Sequence, residues 1–218
     1  MNEDIGYIAQ ADFMKWAFQG GMTPTQPNVD REGWDFIVQF HNLSLEPGKP
    51  IDRSAPRIQC MVQVKGTLSK RKRKSIELSV WHKLVYANLP AFFLVAKYGN
   101  TREAKELFLI HVGKEWIETV ARRLRESDLQ DITKLNKHTL NLTWSQRDKL
   151  PEVGGDAIAE AIQSHIGNFD DYIQQKQKWR KELGVEAPFQ IRFISHHIIA
   201  GKNSWKIGLT LQLVYVNQ

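Results

Sequence analysis

Apolar positions recur at three spacings along this chain, and each spacing predicts a different element. From Glu3 to Gln19, residues Ile5, Ile8, Ala9, Phe13, Trp16 and Ala17 follow a period near 3.6, which predicts a helix. Gly20-Gly21 ends it, since glycine tolerates the positive φ of a helix terminus. From Gly33 to Phe40 the spacing is two. A strand there puts Trp34, Phe36, Val38 and Phe40 on one face and Asp35, Ile37 and Gln39 on the other. The next strand, Gln59 to Lys65, sets Ile58, Cys60, Val62 and Val64 against Gln59, Met61, Gln63 and Lys65. The third pattern is a continuous run, Ala91 to Ala96, as in a strand buried on both faces.

The remaining elements fill in between. A loop from Thr23 to Glu32 leads into the Trp34 strand, and a proline-containing connection, Leu43 to Pro56, precedes the Gln59 strand. Ile76 to Val80 predicts a short strand, followed by a short helix carrying Trp81, Leu84 and Val85 and stopped by Asn88-Leu-Pro90. Leu107 to Val112 is a strand. Glu115 to Arg125 is an amphipathic helix with Trp116, Ile117, Val120, Ala121 and Leu124 inward, and Thr139 to Trp144 is another strand. Leu150-Pro-Glu-Val-Gly-Gly155 marks a junction. Two helices follow, Asp156 to Ile166 and Asn168 to Leu183, the second capped by Asn168 with Asp171 three residues on. Alternating segments Phe189 to Ile199 and Trp205 to Val216, around Gly201-Lys-Asn203, predict an antiparallel hairpin. The expected architecture is α/β or α+β: a central mixed sheet flanked by helices, with a C-terminal helical pair and β-hairpin. Residues 1–149 form the first unit and 150–218 the second, the latter packed on the same core or set apart from it.

Composition narrows the function classes. At 218 residues the chain can build one sizeable core, and 42% hydrophobic with 25% charged residues is ordinary for a soluble globular protein. No apolar run is long enough to cross a bilayer, and the acidic Met-Asn-Glu-Asp start lacks a signal-peptide pattern. The expectation is a cytoplasmic protein without a membrane partner. The single cysteine, Cys60, excludes an internal disulfide and reads as a buried, inert thiol. A net charge of +6 favours polyanionic partners, nucleic acid first. The excess is concentrated in Lys70, Arg71, Lys72, Arg73 and Lys74, whose plain alternative is a solvated loop.

Asp35, Gln63 and Lys65 bring an acid, an amide and a lysine to one sheet surface if the two strands pair. Phosphodiester hydrolysis needs negative charge stabilised on the phosphoryl oxygens and a hydroxide-like nucleophile in line with the leaving oxygen. A hard divalent cation held by oxygen ligands meets both needs, and a lysine beside it can orient or activate water. The bland alternative is a solvated sheet face carrying three ordinary polar residues. Other chemistries lack their signatures. No glycine-rich phosphate loop or Gly-x-Ser-x-Gly elbow is present. His196 and His197 fall on opposite strand faces, and His111 and His138 have no partner at a zinc-ligand spacing.

Gly-Trp-Asp at 33–35, followed about twenty-eight residues later by Val-Gln-Val-Lys-Gly at 62–66, resembles the PD-(D/E)xK superfamily of restriction-endonuclease-like nucleases. The nearest likeness is to its Mrr-like and Holliday-junction-resolvase-like branch, where a Gln-x-Lys variant of the second motif occurs. Gly6-Tyr-Ile-Ala9-Gln10 is similar to the Gly-x-x-Ala-Glu that opens many such domains. The resemblance covers roughly residues 5 to 112, extending at most to Trp144. It implies a restriction-endonuclease-like core and a Mg²⁺- or Mn²⁺-dependent nuclease acting on DNA, with RNA also open, in restriction, anti-phage defence or repair. Asp35 and Gln63 would be metal ligands, Lys65 would position or activate water, and Gln10 would take the place of the helix acid. The chain departs from the pattern where Gln10 and Gln63 replace glutamates, which keeps open a degenerate relative that binds nucleic acid without cutting it. A protein-interaction subunit, with the hairpin edges meeting a second copy or another protein, is the third reading.

Overall fold

The computed structural model describes residues 3–27, 34–40, 58–100, 102–127, 132–185, 189–196 and 208–215. In chain order these form α1 (Glu3–Gln19), β1 (Met22–Thr25), β2 (Phe36–Phe40), β3 (Gln59–Thr67), β4 (Arg73–Glu77), α2 (Leu78–Tyr86), β5 (Ala91–Tyr98) and β6 (Ala104–His111). Then come α3 (Lys114–Glu126), β7 (Thr139–Thr143), α4 (Gly155–Ile166), α5 (Phe169–Glu182), β8 (Phe189–His196) and β9 (Gly208–Tyr215), with 3₁₀ turns at Ile132–Lys137 and Gln146–Asp148. Among the described residues no helix is long and apolar enough to cross a membrane.

The central sheet is mixed, in the order β1-β2-β3-β5-β6, with β3 and β5 parallel and the other neighbours antiparallel. Alternation on its strands divides the core into two layers. Phe36, Val38, Cys60, Val62, Val64, Phe92, Leu94 and Ala96 face α1 and α4. Met61, Ala91, Phe93, Val95, Phe108 and Ile110 face α2 and α3. Being covered on both sides is why β5 reads as an unbroken apolar run. Helix α5 adds Tyr172 to the first layer, and Trp179 packs against the second.

Two close backbone approaches set how α1 lies. A Cβ on Gly155 would fall 1.9 Å from the Trp16 carbonyl oxygen, so the start of α4 touches the end of α1 with no room for a side chain. A Cβ on Gly66 would fall 2.3 Å from the Ile5 carbonyl oxygen, so the first turn of α1 rests directly on the end of β3. Gly21, at φ 69°, makes the left-handed turn that releases the chain from α1.

Several expectations need correcting. Met22–Thr25, overlapping the start of the expected Thr23–Glu32 loop, form an edge strand, where Pro24 is tolerated because its missing N–H does not break a central ladder. The chain bends at Asp35, so the regular strand starts only at Phe36. Trp34 consequently packs with the α2-facing layer, opposite Phe36, Val38 and Phe40. The expected Ile76–Val80 strand is β4 at Arg73–Glu77, and α2 already begins at Leu78. Strands β4 and β7 leave the central sheet and pair with each other as a two-stranded ribbon. The hairpin pairs as expected, Phe189 opposite Tyr215, while its turn and His197 lie outside the described residues.

Candidate functional site

Strand β3 runs on past the start of β2, so among the described residues no strand pairs with the β2-side edge of β3 beyond Val62. Asp35 sits at that corner. Its backbone N–H donates to the Val62 carbonyl at 3.1 Å, the last rung of the ladder. One step further the ladder is completed by a side chain: the Val64 N–H donates to Asp35 Oδ2 at 2.7 Å. Gln63 Nε2 donates to the same oxygen at 2.6 Å, and the Gln10 amide lies close enough to favour the ionised carboxyl. The acid is thus reached from the sheet edge, from β3 and from α1.

Gln63 is only 4% exposed, beside Phe93 in the parallel register and two residues from buried Met61. A solvated sheet face therefore does not describe it. A buried amide among apolar neighbours is costly unless its polar atoms are engaged, and Asp35 engages this one. Burial raises the Asp35 pKa above the ordinary carboxylate value; the Lys65 cation and the hydrogen bonds from Val64, Gln63 and Gln10 act against that rise.

A cleft of about 280 Å³ opens beside this group, walled by Gly6 and Gln10 of α1, Lys65 of β3, and Lys74 and Glu77 of β4. Lys74 is folded inward, donating Nζ to the Gly66 carbonyl at 3.0 Å. Partial burial and the neighbouring Lys65 cation lower its pKa. The basic run is accordingly split: Lys70, Arg71, Lys72 and Arg73 are exposed, whereas Lys74 lines the cleft. Glu77 is a second acid on the wall that sequence reasoning did not select. Period-two spacing from Lys65 could not find it, because β4 belongs to a different sheet. Asp12 is committed elsewhere, accepting the Tyr98 hydroxyl at 2.8 Å.

No family model, curated protein or solved structure matches the chain. Geometry carries the functional reading.

Among the described residues no three His, Cys, Asp or Glu side chains gather as a metal-binding group. Magnesium commonly uses one or two carboxylates together with waters and substrate phosphates. Asp35 supplies one carboxylate. An amide can exchange its NH2 for its oxygen by turning over, with no change of shape, so Gln63 and Gln10 can each present an oxygen to a cation. The donor set fits a divalent ion that shares a substrate phosphate.

Among the described residues the histidines form no such set. His111 stacks on His165 with ring centroids 5.0 Å apart, and its Nε2 lies 2.5 Å from the Tyr172 hydroxyl. Burial, with smaller contributions from His165 and Lys176, lowers its pKa to about 3, which keeps the ring neutral. Beside it, Lys176 and Arg180 of α5 hold the end of α2. Lys176 Nζ donates to the carbonyls of Leu84 and Leu89 at 3.0 and 2.7 Å, and Arg180 donates to those of Tyr86 and Ala87 at 2.6 and 3.2 Å.

Proposed function

We propose that this chain is a metal-dependent nuclease-like phosphodiesterase acting on DNA, built on a restriction-endonuclease-like core. The supporting observation is that Asp35, Gln63, Gln10 and Lys65, from three separated segments, come together beside a cleft that Gln10, Lys65 and Lys74 line. Asp35 and Gln63 would hold a Mg²⁺ or Mn²⁺ ion, with Gln10 beside them. Such an ion, when bound, polarises a phosphoryl oxygen and makes a bound water more acidic. The protein's own contribution is placement. The Val64 N–H fixes the Asp35 carboxyl, Gln63 sets its angle, and Lys65 brings a cation to orient water and offset phosphate charge. Lys74 and the exposed Lys70–Arg73 cations supply backbone attraction. Restriction, anti-phage defence and repair are the settings that the resemblance implies.

One observation favours a second reading, a non-cutting nucleic-acid-binding relative. Gln63 already donates to Asp35, so the pair is satisfied without a cation. The deciding assay incubates plasmid, linear and single-stranded DNA with Mg²⁺ or Mn²⁺. Cleavage lost in both Asp35→Ala and Lys65→Ala supports the nuclease. Salt-sensitive binding with no cutting under any metal condition supports the binding module.

A further inference from the structure

A second cleft, of about 560 Å³, lies between α3 and β7. Ile110 forms part of its lining, Trp116 comes from α3, Asn141 and Thr143 come from the outward face of β7, and Arg147 is exposed beside them. Trp116 stacks one face on Trp81, with centroids 4.6 Å apart and planes 23° from parallel. It is only partly buried, and it lines the cleft. A supported aromatic plane, a guanidinium and a short amide suit a nucleobase: stacking on the ring, and hydrogen bonds to the base edge. Glu115 and Asp148 line the same cleft, which disfavours a phosphate there and suits the amino group of a base.

The ribbon joins this cleft to the first one. Ser75, which lines the first cleft, stands opposite Asn141, and Arg73 stands opposite Thr143. The Trp144 N–H donates to the Lys72 carbonyl at 3.3 Å, which ties the basic turn to the rim of the second cleft. Arg73, Ser75, Asn141 and Thr143 are all exposed, so a polar, cationic surface two strands wide separates the sites. Adjacent strands lie about 5 Å apart, a short crossing for a polynucleotide.

We propose that the α3–β7 cleft binds an unpaired nucleobase of a nucleic-acid strand whose backbone crosses the β4–β7 ribbon to the cleft lined by Lys65 and Lys74, beside Asp35. The path rests on the phosphodiester reading of that first cleft and names its substrate as a strand with unpaired bases. A duplex keeps its bases stacked and paired, and would have to release one to fill the site.

The test is fluorescence anisotropy of the full chain in EDTA with labelled dT15, an abasic oligomer of equal length, a duplex and competing dTMP. We expect dT15 to bind about tenfold more tightly than the abasic oligomer, and Trp116→Leu to erase most of that difference. Asn141→Ala, at an exposed strand position, should weaken dT15 about threefold and leave the abasic oligomer unchanged; it carries the test if Trp116→Leu misfolds. Equal affinity for dT15 and the abasic oligomer would overturn the proposal. So would insensitivity to Asn141→Ala, a duplex bound as tightly as dT15, dTMP competing as strongly as dT15, or no binding at all. Base-dependent binding here, with no cutting in the Mg²⁺ or Mn²⁺ assay, sinks the nuclease reading and leaves the base site standing, whereas cutting in that assay with base-independent binding here does the reverse.

Discussion

The Asp35 carboxylate accepts the Val64 backbone N–H at 2.7 Å, standing where the next residue of a longer β2 would place a carbonyl. One side chain therefore closes a sheet edge and occupies the candidate site, and both duties favour the carboxylate that burial disfavours. Burial raises its pKa, so the folded protein holds the proton more tightly than the unfolded chain does. Stability from this group is present below the unfolded value near 3.8 and is lost as pH rises through the raised folded value. Asp35→Asn keeps an acceptor for Val64 and removes the charge. We expect it to melt higher than wild type at pH 7.5, by about 2–4 °C for each ~1 kcal/mol relieved. The gap should close as pH falls toward 4, and a variant that melts lower at every pH would contradict this.

Gln63→Glu puts a second carboxylate where a hydrogen-bond donor now contacts Asp35 at 2.6 Å. Without metal the two acids repel, and the variant should melt below wild type. With Mg²⁺ the repulsion becomes a ligand pair, so the metal-induced rise in Tm should exceed that of wild type. At saturation near a hundred times Kd the added stability is about 2.7 kcal/mol. Calorimetry with and without Mg²⁺ reads the difference, and equal rises would show that Gln63 is not beside the ion.

Gly66→Ala would drive a methyl group to 2.3 Å from the Ile5 carbonyl. Overpacking of this kind costs roughly 1–3 kcal/mol. Because the first turn of α1 must move to make room, Gln10 moves with it. Tm should fall, and the proposed DNA cleavage with it, whereas Gly155→Ala, which crowds the far end of α1, should lower Tm with a smaller effect on that proposed activity.

Lys176 is fully buried, and desolvation, aided by the Arg180 charge, lowers its pKa to about 7. The unfolded chain binds its proton up to about 10.5, so stability from this group is fully present above that value and lost as pH falls to 7. Lys176→Met leaves the Leu84 and Leu89 carbonyls without their donor and removes this dependence. The stability difference between wild type and variant should widen from pH 7 to pH 10. A flat difference across that window would refute the assignment.

Much of the fold was written in local spacing. Ile5, Ala9, Phe13 and Ala17 gave α1, the run from Ala91 gave the doubly covered strand, and Asn168 was legible as a cap, accepting the Asp171 N–H at 3.1 Å. Pairing across long separations was not. Nothing near Arg73 announces Thr143 as its neighbour, so the ribbon, and with it Glu77 and the second cleft, stayed hidden. Alternation put Gln63 and Lys65 on one face but could not say that α2 and α3 cover that side of the sheet, which is why a buried amide resembled an exposed one. Trp34 was assigned to the wrong side because a single bend at Asp35 resets the alternation.

The clamp at the end of α2 also bears on how the chain is made. The groups that satisfy its last carbonyls come from residues 87 to 94 positions later. At ordinary synthesis speeds that is a delay of roughly 5–20 s, during which these carbonyls lack their α5 donors. The sheet can begin to assemble as soon as β5 and β6 emerge. Closing its α2 flank must wait for α5, so a ribosome stalled short of Lys176 would carry a nascent chain with this corner still frayed and open to proteases.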